Sequence, residues 1–145
     1  MEIERELINI YPYWMFRSFR AITTKQFRGL KKANIDLTVE QWVVLMTVDN
    51  NNGESQKIIS KKSLKDTANV YRIISQLIKK GFIEKNIHPD DGRKTIISMT
   101  KNGMETIEKA LPIMDEVRQM GLQDISEKEF DFMMSALKKI YHNLE

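Results

Sequence analysis

Cysteine is absent from this chain, and histidine occurs only twice, as His88 and His142. Without cysteine there is no disulfide framework, no thiol nucleophile and no thiolate metal site. The two histidines fall at a strand end and near the C-terminus, with no cysteine to complete a metal or nucleophile set, so neither catalysis nor a metal or cofactor is expected. His88-Pro89-Asp90-Asp91 gathers ligand-type side chains, but a run of this kind at a hairpin is ordinarily a turn. Apolar runs are short as well. None approaches the roughly 20 residues needed to cross a bilayer, so no membrane partner is expected. The opening Met1-Glu2-Ile3-Glu4-Arg5-Glu6 is acidic and lacks the basic-then-apolar layout of a signal peptide, which makes the cytoplasm the expected location. Internal repeats, low-complexity tracts and long linkers are also missing. A length of 145 residues fits one compact domain, or a small one whose extensions another chain must cover.

What is present is charge, at 30% of residues, distributed unevenly. The net value of +3 conceals a middle third, Ser55 to Lys101, that holds 11 basic and 4 acidic residues, a net of +7. The remainder holds 12 basic and 16 acidic, a net of −4. Positive charge concentrated in one stretch is the footprint of a polyanion-facing module.

Hydrophobic spacing divides the chain into helices with one interruption. Residues from about 4 to 33 form a long helix in which Leu7, Ile10, Trp14 and Ala21 follow a three-or-four spacing, with Tyr11 and Ile22 beside them. Pro12 within it requires a kink or a later start with proline in the first turn. Thr38-Val39-Glu40-Gln41 is a capping box opening a second helix with Trp42, Leu45, Met46 and Val48. After the turn-forming Asp49–Gly53 comes a short helix from Ser55 to about Lys62. Asp66 then caps a helix through Lys80 whose inward positions are Val70, Ile73, Ile74, Leu77 and Ile78, and Gly81 is placed to end it in the left-handed conformation. The period then changes. Phe82–Ile87 and Thr95–Met99 are short and partly β-branched, with the turn sequence Pro89-Asp90-Asp91-Gly92 between them and Gly92 expected at positive φ. From Asn102 the helical period returns, with Met104, Ile107, Leu111, Met114 and Val117 on one stripe and Pro112 expected to kink or divide the helix. A second capping box, Ser126-Glu127-Lys128-Glu129, opens an amphipathic final helix carrying Phe130, Met133, Met134, Leu137, Ile140, Tyr141 and Leu144.

Two helices joined by a turn and followed by a hairpin make a winged helix-turn-helix, which sets its second helix in a DNA major groove about 12 Å wide. The outward positions of that helix include Thr67, Asn69, Tyr71, Arg72 and Gln76, and no acidic residue occurs between Asp66 and Glu84. Asn and Gln can pair with adenine, Arg can fork onto guanine, and Tyr can bond phosphate. Lys61, Lys62 and Lys65 make the approach basic, and Arg93 and Lys94 place cations at the wing, where arginine suits a narrow minor groove. Asp91 is expected to hold Arg93, or a basic residue of the recognition helix, by a charge-assisted bond.

The same residues carry a family resemblance. Lys65-Asp66-Thr67-Ala68-Asn69-Val70-Tyr71-Arg72, followed by Leu77-Ile78-Lys79-Lys80-Gly81-Phe82-Ile83, resembles the recognition helix and following strand of MarR-type regulators. Asp91-Gly92-Arg93, then Met99-Thr100 and Gly103, is similar to that family's wing signature of D-x-R followed by L-T-x-x-G. The resemblance covers nearly the whole chain. It departs at Tyr71, where the family usually has Thr or Ser, and at Met99, where it has Leu; Tyr71 therefore prevents borrowing a target sequence from relatives. The resemblance implies a homodimer formed by the terminal helices, which the apolar surface of those helices independently calls for. It also implies an effector site between the dimerisation helices and the winged domain. Candidates are Tyr11, Trp14, Arg17 and Arg20 on the first helix, Trp42 and Met46 on the second, and Met104 after the wing; each apolar member also suits a helix core. Trp14 with Arg17 or Arg20 would receive an aromatic or aliphatic acid.

The expected fold is therefore mainly α with a small β-hairpin wing: one MarR-type domain over 1–145, with dimerisation helices at about 1–35 and 102–145 and a winged helix-turn-helix at about 36–101. The expected function is a homodimeric repressor that binds a palindromic duplex operator and responds to a small ligand. The alternative is a winged-helix adaptor that binds protein without sequence-specific DNA binding.

Overall fold

Proline fixes where the first helix starts. Pro12 occupies the first turn of α1 (Tyr11–Lys32), where its missing N–H costs nothing, and the preceding Ile10 is extended. A computed structural model describes residues 9–63 and 66–145; Leu7 and Lys65, both singled out from the sequence, lie outside the described residues. Asn34, at a left-handed φ of 56°, turns the chain into α2 (Val39–Asn50). Thr38 and Gln41 complete the expected capping box there. Ser55 caps α3 (Gln56–Lys62), and Asp66 caps α4 (Thr67–Lys79) by accepting from the Asn69 amide at 3.0 Å. Gly81 follows at φ 75°, the left-handed conformation that ends a helix most cheaply in glycine.

β1 (Ile83–His88) and β2 (Asp91–Met99) pair antiparallel from Ile83↔Met99 to Ile87↔Thr95, and then His88↔Asp91 across an irregularity. The turn is thus Pro89-Asp90, one register step earlier than the sequence indicated. Positive φ among the described residues falls at Asn34, Gly53, Gly81 and Asp124, so the expectation of positive φ at Gly92 is corrected: Gly92 lies within β2. A third short segment joins the sheet, with Gly53 donating to the Ile97 carbonyl at 2.9 Å and Ile97 donating to that of Glu54 at 2.8 Å.

The core gathers around α2. Val44, Leu45 and Val48 are fully buried against Ile59 of α3, Val70 and Leu77 of α4, and Ile97 of β2. Each such side chain contributes roughly 1.5–3 kcal/mol relative to exposure.

α5 (Lys101–Gly121) packs against α1, and α6 (Glu127–Leu144) completes the chain. Pro112 neither ends nor divides α5: it sits on an exposed face, where the lost backbone bond is easily solvated. The buried stripe of α5 is Gly103, Ile107, Ala110, Met114 and Val117, while Met104 and Leu111, expected inside, are exposed. On α1, similarly, only Leu30 is buried among the described side chains, and Ile10, Trp14, Ala21 and Ile22 of the expected stripe are exposed.

Thr100 joins the two halves. Its hydroxyl donates to the Gly81 carbonyl at 2.6 Å and accepts from the Gly103 amide at 3.0 Å, while its amide donates to the Phe82 carbonyl at 3.1 Å. A Cβ at Gly103 would overlap the Phe82 carbonyl oxygen and come within 2.8 Å of Met99 Cε. The T-x-x-G spacing is thus explained by the close approach of α5 to the strand. Gly103→Ala should destabilise the fold by about 1–3 kcal/mol or more, whereas Gly92→Ala, where a Cβ meets nothing within 4 Å, should stay within about 0.5 kcal/mol of wild type. Urea denaturation of the two variants checks the contrast; equal losses would contradict it.

Candidate nucleic-acid interface

α4 is divided lengthwise by its apolar stripe. Val70, Ile73, Ile74 and Leu77 are at most 1% exposed, so the helix cannot rotate without exposing them. Thr67, Ala68, Tyr71, Arg72, Ser75 and Lys79 consequently face solvent. Asn69 is half-buried at the edge of this face, and its Oδ1 accepts from Arg72 Nη2 at 2.6 Å. The two polar side chains therefore form one unit, with the Asn69 amide NH₂ and most guanidinium donors still available for a partner. The Asp66 carboxylate fixes the Asn69 backbone, so cap, asparagine and arginine are linked in sequence along the first turns.

Gln76 is the correction on this helix. Placed outward by helical spacing, it is half-buried, and its Oε1 accepts from Gln41 Nε2 at 3.1 Å. The polar cluster it joins also includes Lys80, whose Nζ donates to Gln41 Oε1 and to the Asp36 carbonyl, each at 2.9 Å. From sequence Gln41 is marked only as a capping residue and Lys80 only as the end of the helix; the partners that draw them into this cluster lie 35 to 44 residues away, and no local signal marks those contacts.

Lys61 and Lys62 project from the exposed end of α3, where Lys62 also donates to Asn51 Oδ1. At the wing, Asp91 Oδ1 accepts from the Arg93 backbone amide at 3.0 Å, and its Oδ2 lies 3.9 Å from Lys94 Nζ. Asp91 thus fixes Arg93 through its main chain, and both Arg93 and Lys94 remain exposed. Recognition helix, α3 end and wing together bear cations, with Asp66 and Asp91 turned to backbone amides.

The residues proposed for an effector do not gather in one cavity. Tyr11 is 60% and Trp14 54% exposed, the latter meeting Tyr13 edge-on. Arg17 donates to the Tyr13 hydroxyl at 2.9 Å and lies over its ring, while Arg20 borders an open groove with Arg17, Lys25 and Arg28. Trp42 and Met46 pack on the core, and Met104 is exposed. A separate apolar cavity of about 510 Å³ lies between α1, α5 and α6, lined by Ile22, Leu111, Met114, Phe130 and Met133 among others, and contains none of these seven.

Helix-turn-helix α3–α4 with its hairpin defines a winged helix-turn-helix protein. A model of the MarR family matches residues 37–95, from the last residues before α2 into the wing. The chain is 31% identical over 118 residues to YdcH, an uncharacterized HTH-type transcriptional regulator of Bacillus subtilis strain 168, covering 79% of this chain and 80% of that one. It is 29% identical over 133 residues to the HTH-type transcriptional repressor IacR of Pseudomonas putida, covering 92% and 78% respectively. A solved structure of Bordetella bronchiseptica BpsR, concerned with regulation of its DNA binding by 6-hydroxynicotinic acid, superposes with a TM-score of 0.83 over 96% of this chain and 98% of that one. At 19% identity, that likeness establishes the fold. The chain belongs to the MarR family.

The capping bond makes a direct prediction. Asp66→Ala should cost about 1 kcal/mol by leaving the first turn of α4 uncapped, and Asp66→Asn should retain most of that stability. Equal denaturation midpoints for Asp66→Ala and wild type would show that the carboxylate does not hold the helix start.

Proposed function

We infer that this protein is a transcriptional regulator, acting as a homodimeric repressor in the cytoplasm, that binds duplex DNA through α4 and the wing and whose affinity is tuned by a small ligand. The observation that carries the reading is the solvent face of α4: fixed by a sealed apolar stripe, free of acidic side chains beyond its cap, and presenting a linked Asn69–Arg72 pair beside Thr67 and Tyr71. In the proposed complex Asn69 and Arg72 read base edges. Thr67, Tyr71, Lys61, Lys62 and Lys94 hold phosphates, and Arg93 enters the minor groove from a wing braced by Asp91. Lys65, next to the cap in sequence, belongs to the same basic approach.

A second copy is required by what the chain leaves exposed. Phe16, Phe19 and Phe27 of α1 and Phe132, Tyr141 and Leu144 of α6 are each at least 46% exposed. Pairing these helices across a two-fold axis buries them and presents two recognition helices. The terminal regions at about 1–35 and 102–145 are accordingly assigned to dimerisation. The ligand reading is supported by BpsR, whose DNA binding is described as regulated by 6-hydroxynicotinic acid.

Two measurements test these assignments. Light scattering at micromolar concentration should give about 34 kDa, twice the 17.0 kDa chain, and a monomeric mass would exclude the two-fold arrangement. In anisotropy titrations with a selected duplex, a dimer making about 6–10 phosphate contacts should lose roughly 10³–10⁵ in affinity between about 50 and 200 mM salt. Arg72→Ala should cost about 1–3 kcal/mol per half-site and relax preference at particular base pairs, while Lys94→Ala should weaken all duplexes alike. A flat salt profile would favour a protein-binding adaptor instead.

A further inference from the structure

The polar cluster behind the recognition helix is built differently from the rest of the winged domain. Gln41, in the first turn of α2, is 5% exposed, and both ends of its amide are used. Its Oε1 accepts from the Thr38 amide at 3.2 Å and from Lys80 Nζ at 2.9 Å, and its Nε2 donates to Gln76 Oε1 at 3.1 Å. The Lys80 ammonium, on a side chain only 24% exposed, is likewise filled: besides Gln41 it reaches the Asp36 carbonyl oxygen at 2.9 Å and Asp36 Oδ1 at 3.0 Å. An ammonium has three donors, and each has an acceptor here.

These bonds add directional contacts between two parts of the chain that apolar packing also holds, through Leu37 and Leu77. One is the α1–α2 hinge, Asp36 to Thr38; the other is the last turn of α4, Gln76 to Lys80. Apolar burial along Val70, Ile73, Ile74 and Leu77 decides which face of α4 is inward, but it is non-directional and tolerates small slides along the axis. Hydrogen bonds are directional, and a buried amide that loses its partner is left unsatisfied, so the cluster resists such a slide. Base readout requires placement of donors to within about 0.5 Å, and bonds of this direction can restrain the axial position of α4.

We propose that Gln41 and Lys80 are positioning residues that lock the recognition helix to the α1–α2 hinge, and that Gln76 belongs to this lock and not to the base-reading surface. The proposal rests on the duplex-binding reading above. It makes Gln41, which is buried behind α4, a determinant of sequence preference without contact to DNA. It also makes Asp36 and Thr38 the points through which a displacement of α1 reaches the far end of α4.

The test uses the full chain with Gln41→Leu, Gln76→Leu, the double variant, Lys80→Met and Gln41→Glu. Each is titrated against the selected duplex, its single-base variants and a scrambled duplex at several salt concentrations, with circular dichroism melts to verify folding. The expected result is that each Leu variant loses about tenfold in preference for the selected over the scrambled duplex, and that the double variant is no worse than the more affected single. The salt slope should be unchanged, because phosphate contacts are not touched. Lys80→Met, at a partly exposed position, should shift preference in the same direction even where a Leu variant fails to fold. Gln41→Glu should recover most of the preference, since its carboxylate accepts from Lys80 and from a turned Gln76 amide. Loss of preference at one base pair in Gln76→Leu, with Gln41→Leu and Lys80→Met binding as wild type, would overturn the proposal and return Gln76 to base reading; so would additive losses in the double variant. A wild-type protein that prefers no duplex would overturn the underlying DNA reading and this one with it.

Discussion

The burial of one edge of α4 constrains everything else in the winged domain. Val70, Ile73, Ile74 and Leu77 meet the core of α2 and α3 with essentially no exposure, and turning the helix by one residue would carry about 100° of that stripe into water. With the inner edge settled, the outer edge is settled too, and polar side chains need only be placed along it. Asp66 anchors its start through the Asn69 amide, and Asn69 in turn receives Arg72. The wing follows from the helix end: Gly81 turns the chain, Phe82 and Ile83 enter the core, and Thr100 clasps the returning strand to Gly81.

The terminal helices are under a different constraint. α6 has none of its described side chains buried, and α1 has one. Apolar exposure on this scale over two helices is costly at roughly 25 cal/mol per Å². The winged domain shares its core with Leu30 of α1 and with Ile107, Ala110 and Met114 of α5, whereas the outer faces of α1 and α6 are shaped for a surface the single chain does not supply. This arrangement, a winged domain anchored on terminal helices that need a partner, agrees with the MarR family membership.

Features set by neighbours in sequence were legible before the structure. The caps at Thr38, Asp66 and Ser126 each depend on residues within three positions, and all three are made. The stripe of α4 and the positive φ of Gly81 are local in the same sense. Features that depend on distant partners were not. Helical spacing placed Gln76 outward, near the edge of the wheel; its inward turn is decided by Gln41, 35 residues earlier. In α5 Gly103 takes the buried edge because the Phe82 backbone comes too close for any side chain there, Ala110 lies on the same edge with Ile107, Met114 and Val117, and Met104 and Leu111 face outward. The wing turn differs for a related reason: Pro89-Asp90-Asp91-Gly92 reads locally as one turn, and the pairing of His88 with Asp91 confines the turn to Pro89-Asp90. Of the candidate interface, the cations and the Asn69–Arg72 pair were legible as residue types, and their mutual bond was not.

Everything in the proposed function turns on two copies of α4, held by a two-fold axis, reading duplex DNA. Selection of preferred duplexes from a random pool by the intact protein, followed by sequencing, tests it most directly. The expected product is an inverted repeat whose half-site centres lie about one helical turn apart, near 10–10.5 base pairs, with preference at contiguous positions within each half. A pool that remains unenriched, or enriches a single unrepeated element, would contradict it.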